Sequence, residues 1–86
     1  MITSRIDKWL FCARFYRTRV TAQAAIAAGK VRLNGTKIDK PGHALRPGDV
    51  LTLGRGADVV AVRVLSLANR RGQAGQARFL YELVTD

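Results

Sequence analysis

The sequence is poor in the residue types from which most enzymes and metal proteins are built. Its 86 residues include one cysteine, one histidine, one methionine, one tryptophan and only six carboxylate side chains. Cys12, standing alone, can form no intramolecular disulfide, and four-ligand zinc sites rich in cysteine are excluded. A reducing cytoplasm is the expected compartment. His43 sits in a Pro-Gly loop with no second histidine or carboxylate at metal-ligand spacing, so no metal and no general base is expected there. No serine has a recognisable base partner, and Gly54-Arg55-Gly56 is too short for a phosphate-cradling glycine loop. The expectation is a protein that is not an enzyme, with no catalytic residue, no cofactor and no small-molecule substrate. Long apolar runs are also missing: none approaches the roughly 18 residues of a membrane span. The opening Met1-Ile2-Thr3-Ser4-Arg5 lacks the apolar stretch of a signal peptide, so neither export nor membrane insertion is expected.

What the chain does have is positive charge. Fifteen lysines and arginines stand against six acidic residues, a formal net charge of +9. The excess is uneven: residues 1–40 hold nine basic and two acidic side chains (+7), residues 41–86 six and four (+2). Eleven of the fifteen are arginine, whose planar fork meets phosphate oxygens bidentately and stacks on bases. A polyanionic partner, and nucleic acid above other anions, is implied. With 48% hydrophobic residues in short periodic runs, the chain is expected to fold as a single domain over residues 1–86 around one modest core.

The patterning gives an α+β order of elements. Ser4 and Asp7 have the spacing of a capping box, and a helix is predicted over residues 5–15, with Ile6, Trp9, Leu10 and Ala13 facing the core while Asp7, Lys8, Phe11 and Arg14 point elsewhere. Asp7 is expected to cap this helix and to pair with a neighbouring arginine such as Arg14. Thr18 caps a second predicted helix over residues 19–28, ended by Gly29 in the left-handed position. Val31-Arg32-Leu33, the hairpin signal Asn34-Gly35 and Lys37-Ile38 predict two short strands. Pro41-Gly42 and Pro47-Gly48-Asp49 read as turns, followed by strands over 50–53 and 59–67 around a loop at 54–58. The glycine-rich, basic stretch 69–76 reads as a mobile hairpin tip before a last strand over 78–84.

Arg5, Lys8, Arg14, Arg17, Arg19, Lys30, Arg32, Lys37 and Lys40 straddle the helix starts, the inter-helix turn and the hairpin, and converge if those elements pack together. Arg17 and Arg19 flank the start of the second helix, where free N–H groups and the helix dipole favour a phosphate. The plain alternative is a solvated surface of scattered charges. Phe11, Phe15 and Tyr16 are either platforms for unpaired bases or part-buried supports of the core. Cys12, between Phe11 and Ala13, reads as a small buried filler.

The run Arg5-Ile6-Asp7-Lys8-Trp9-Leu10, then Ala13-Arg14-Phe15, Thr18-Arg19, Ala22, Ala25-Ile26, Gly29-Lys30-Val31-Arg32-Leu33-Asn34-Gly35, Lys40-Pro41 and Pro47-Gly48-Asp49 resembles, in order and spacing over residues 4–54, the S4 RNA-binding domain family. The resemblance implies an S4-like (alpha-L) unit of two short helices packed on a small, mostly antiparallel β-sheet, with residues 55–86 as a β extension. It implies non-catalytic binding of structured RNA, ribosomal or transfer RNA, through Arg5, Lys8, Arg14, Arg17, Thr18, Arg19, Gln23, Lys30, Arg32 and Lys37, with Trp9, Leu10, Ala22, Ile26 and Val31 as core. Among stand-alone members, the Arg-Ile-Asp-Lys-Trp-Leu opening and the Phe-Tyr-Arg-Thr-Arg turn are most similar to the small ribosome-associated heat-shock family, which implies the large ribosomal subunit as a partner; this likeness weakens after residue 67. Two other readings stay open: an accessory module that directs a separate RNA-modifying enzyme to its RNA, and a duplex-DNA binder, since two short helices about a tight turn resemble a helix-turn-helix.

Overall fold

A computed structural model describes residues 3–68 and 71–84. In chain order the elements are β1 (Ser4–Arg5), α1 (Ile6–Cys12), α2 (Arg19–Ala27), β2 (Val31–Leu33), β3 (Thr36–Lys37), β4 (Ala44–Leu45), β5 (Val50–Arg55), β6 (Asp58–Val64), α3 (Ala74–Ala77) and β7 (Tyr81–Leu83). The α+β class and the antiparallel sheet agree with the expectation. Five strands form one antiparallel sheet in the order β3-β2-β5-β6-β7, and β1 pairs separately with β4.

Both ends of α1 differ from the sequence reading. Ser4 lies in β1 opposite Leu45, so it is not the cap; Arg5 takes that position, and its side chain accepts no hydrogen bond from the helix backbone. The first N–H groups are instead satisfied by the loop before β4: Ile6 donates to the His43 carbonyl at 3.0 Å and Asp7 to that of Pro41 at 3.2 Å. The helix stops at Cys12 rather than running to residue 15, because Arg14 turns left-handed (φ 66). The N–H groups of Arg14 and Phe15 then fold back onto the carbonyls of Phe11 and Leu10 at 3.1 and 3.0 Å, the Schellman arrangement that usually recruits glycine. An arginine there costs about 1–2 kcal/mol of backbone strain.

Helix α2 follows its signals closely. The Thr18 hydroxyl accepts from the Thr21 N–H at 3.0 Å, and Gly29 takes φ 77 one residue past the C-cap Ala28. The N–H groups of Gly29 and Lys30 close onto Ile26 and Ala25 at 3.0 Å each, a second Schellman turn that aims the chain into β2. Asn34 (φ 50) and Gly35 (φ 85) make the predicted two-residue hairpin.

The C-terminal third departs further. Strands β5 and β6 run on to Arg55 and from Asp58, so the expected five-residue loop shrinks to Gly56-Ala57. Of the stretch read as a mobile hairpin tip, Asn69 and Arg70 lie outside the described residues, and Ala74–Ala77 is a helical turn. Its Gln73 and Gln76 form a reciprocal capping box, with Gln76 Oε1 accepting from the Gln73 N–H at 3.1 Å. The last strand is shorter than expected, Tyr81–Leu83. No helix among the described residues is long and apolar enough to cross a membrane.

The core lies between the two helices and one face of the sheet. Ile6, Trp9 and Leu10 of α1, Ala22 and Ile26 of α2, and Val31, Leu51, Leu53 and Val62 of the sheet are all fully buried. Register explains the sheet's share: Val31 stands opposite Leu53 and Leu51 opposite Val62, so one face of three neighbouring strands is apolar. Trp9 is the largest of these side chains, and its indole N–H donates to the Ser66 carbonyl at 2.9 Å, tying α1 to the chain beyond β6. Trp9→Ala is expected to cost about 3–5 kcal/mol, the usual range for a buried aromatic. Urea unfolding should show a lower midpoint at unchanged slope; a midpoint within error of the parent would remove Trp9 from the centre of the core.

Candidate nucleic-acid interface

The junction of α1 and α2 is organised by a carboxylate. Asp7 was expected on the outer face of α1, capping the helix and pairing with a neighbouring arginine such as Arg14; it does pair with arginine, but with Arg5 and Arg19, and it is fully buried. Its Oδ1 accepts from Arg5 Nε at 3.1 Å and from the Lys8 N–H at 2.8 Å. Its Oδ2 accepts from Arg5 Nη2 at 3.2 Å, Arg19 Nη2 at 3.3 Å and Gln23 Nε2 at 2.9 Å. The cause is the approach of α2, which lays Arg19 and Gln23 over the side of α1 that carries Asp7. A buried carboxylate is tolerable only with such a complete set of donors. Burial pushes the Asp7 pKa up, but the Arg5 fork, the Gln23 amide, the Lys8 N–H and the Arg19 charge together hold it below its ordinary 3.8. The side chains of Arg5 and Arg19 remain 54% and 42% exposed, so both guanidinium groups are oriented by Asp7 and still reach the surface.

A second group of cations gathers at the α1–α2 turn. Arg14 donates through Nη1 to the Gly72 carbonyl at 2.8 Å, and Arg71 donates to the Arg17 carbonyl at 3.4 Å. The Arg71 guanidinium lies 4.7 Å from the centre of the Phe11 ring. The segment after residue 70 is thereby strapped across the turn. Arg71 was not among the expected site residues; glycine-rich surroundings concealed it, although its charge was in plain view. Cys12 reports the convergence: burial raises its thiol pKa, and the charges of Lys8, Arg19 and Arg71, from three separate segments, pull it the other way.

The aromatic residues divide. Phe15 stacks on Trp9 at 6.1 Å between centroids and tilts on Tyr81 at 4.6 Å, which makes it a rigid, part-buried support. Tyr16 also packs part-buried against the core. Thr18 is engaged in holding the start of α2, where its hydroxyl meets both the N–H and the hydroxyl of Thr21.

The remaining expected residues stand apart from this junction. Arg32 alternates with the inward-facing Val31 and Leu33, so it projects from the sheet face opposite the helices, beside its register partner Lys37. The far end of the Lys37 side chain lies over Gly29, where any Cβ would collide with it, and so beside the carbonyl end of α2. Lys30 is exposed just after the second Schellman turn. Arg5, Lys8, Arg14, Arg17, Arg19 and Gln23 are thus brought together near the helix junction, while Lys30, Arg32 and Lys37 extend around the hairpin.

Residues 4–51 match the family model described as the S4 domain. Over 78 residues, 91% of this chain and 58% of the relative, the sequence is 45% identical to the heat shock protein 15 homolog of Aeromonas salmonicida. It is 29% identical over 85 residues to the small ribosomal subunit protein uS4 of Phytoplasma mali, covering 98% of this chain and 42% of that protein. A solved structure described as trimeric, heat shock protein 15 of Vibrio cholerae, superposes with a TM-score of 0.90 at 35% identity, covering 96% of this chain and 83% of that one. The chain spans 58% of the length of the heat shock protein 15 homolog it matches.

The depressed Asp7 pKa fixes a sign for acid stability. Its contribution is fully present above the unfolded-state value near 3.8 and is lost as pH falls through the lower folded-state value. Asp7→Asn is expected to cost roughly 1–3 kcal/mol at neutral pH, the scale for disrupting a buried charged hydrogen-bond set. The variant should also lose less further stability on acidification than the parent. Denaturant titrations at neutral pH and at about pH 3, below the ordinary carboxylate range, measure both; parallel losses in the two proteins would contradict the assignment.

Proposed function

This chain belongs to the S4 domain family, and from that membership we propose that it binds structured RNA without catalysing a reaction on it. The observation that carries the reading is the junction described above: Lys8, Arg14, Arg17, Arg19 and Arg71, drawn from three segments, surround one helix start, while Asp7 orients Arg5 and Arg19 from beneath. Such a surface grips phosphates whose spacing is set by a folded RNA, and reads shape more than sequence. Arg5, Gln23 and Thr18 support it, the first two through Asp7 and the third by holding the start of α2. Lys30, Arg32 and Lys37 extend the grip round the hairpin for an RNA large enough to wrap there.

Ribosomal RNA is the favoured partner, since the likeness to small ribosomal subunit protein uS4 joins that to the heat shock protein 15 relatives, and the cytoplasm is the corresponding compartment. Association with the large ribosomal subunit is the finer form of the proposal. Sedimentation of cell extract at moderate and high salt distinguishes it: salt-sensitive migration with large subunits supports it, and migration with free protein under both conditions removes it.

The RNA reading is tested by fluorescence anisotropy on a labelled ribosomal-RNA hairpin. If about four to six phosphates are contacted, log affinity should fall with log salt at a slope of roughly −3 to −5. Arg17→Ala should weaken binding at unchanged thermal midpoint, and Arg71→Ala should weaken binding with a small fall in the midpoint, since it also gives up the bond to the Arg17 carbonyl and the contact with Phe11. A flat salt dependence would sink the electrostatic grip. Duplex DNA competing as well as the hairpin would replace RNA with DNA as the partner.

A further inference from the structure

An open groove of about 590 Å³ lies beside the interface, along α2 and up to Gly54 and Gly56 at the end of the β5–β6 hairpin. The small side chains of Ala24, Ala25 and Ala28 line it from α2, the first and last of them exposed, and Phe15 and Tyr16 form the wall at the turn end. Arg17 stands at one end and Lys30 at the other, both exposed. Phe15 is held from behind by Trp9 and Tyr81, so this wall is fixed before anything binds.

We infer that this groove seats an unpaired base of the RNA, with the phosphates on either side of it held by Arg17 and Lys30. This deepens the RNA-binding reading and rests on it. Three features select this occupant. The volume falls in the range of pockets that enclose a small planar ligand. Alanine methyls and aromatic rings make much of this surface apolar, which suits the π-face of any base. The two rim cations lie beyond opposite ends of α2, which is itself about 13 Å long for its nine residues. Successive phosphates of one strand are too close together to span it, so the two cations hold phosphates more than one nucleotide apart on either side of the seated base, whereas the adjoining phosphates of a free nucleotide would meet only one of the two. Arg17 belongs to both the groove rim and the helix-junction surface, so a strand gripped at the junction passes into the groove without leaving positive charge. Such a seat gives the domain a reason to prefer bulged or looped RNA over a continuous helix, whose bases are stacked out of reach.

The test uses two labelled hairpins of the same stem, one with a single-nucleotide bulge and one without, and the variant Ala24→Leu. Position 24 is exposed and leucine is a good helix former, so the variant fills the groove at unchanged fold, checked by its thermal midpoint. The expected result is that the parent prefers the bulged hairpin and that Ala24→Leu lowers affinity for it roughly tenfold, within the loss of one stacked base, while leaving the continuous hairpin unaffected. A fluorescent 2-aminopurine placed at the bulge should be quenched by the parent and not by the variant. Equal binding of both hairpins by the parent, or no effect of Ala24→Leu on either, overturns the seat while leaving the phosphate grip intact. Failure of the parent to bind either hairpin at low salt overturns the RNA reading itself.

Discussion

The arrangement of the interface depends on one buried carboxylate. A negative charge with no solvent exposure is normally a liability, and Asp7 is tolerated because two arginines, an amide and a backbone N–H close around it. The same bonds fix how α2 sits on α1, since Arg19 and Gln23 belong to one helix and Asp7 to the other. They also determine where positive charge is displayed: Arg5 and Arg19 spend part of their hydrogen-bonding capacity inward and present the rest outward. A surface of freely rotating arginines would lose side-chain entropy on gripping RNA; here part of that ordering is completed when the protein folds.

Around this centre the structure uses the chain's few special conformations for positioning. Two Schellman turns, one after each helix, place the residues that follow: Phe15 against Trp9, and Lys30 at the mouth of the hairpin. The strap that includes Arg71 and Gly72 reaches the turn between the helices, so the basic junction is assembled from parts of the sequence 54 to 58 residues apart. Phe11 and Cys12 are covered in the process, which leaves the exposed character of the junction cationic.

The sequence disclosed these features unequally, for physical reasons. Helix α2, its threonine cap, its glycine stop and the Asn34-Gly35 hairpin were readable because each rests on a local preference that a few adjacent residues declare. The apolar face of α1 was readable by its period. The end of α1 was hidden because an arginine takes the left-handed position that glycine ordinarily marks. Asp7 was misread for the opposite reason: its helix face could be counted, but its burial is decided by α2, sixteen residues away at Gln23. Arg71 was visible as a charge and invisible as a neighbour, since only the tertiary path of the strap brings it onto Phe11. Of the expected interface residues, those near the helix junction are together, whereas strand alternation turns Arg32 away from the helices and Lys37 reaches over Gly29 at the far end of α2.

The central place of β5 in the sheet bears on the domain's independence. The family match ends at residue 51, two residues into a strand that is bonded to β2 on one side and to β6 on the other. Trp9 in turn depends on Ser66 for its indole hydrogen bond. The recognisable motif therefore does not coincide with the cooperative unit: residues 4–51 in isolation would keep the helices but leave Val31, Leu51 and Trp9 without the strands that cover them. For residues 4–51 to fold without β6, another segment would have to offer the apolar face and the row of backbone bonds that β6 gives β5 here.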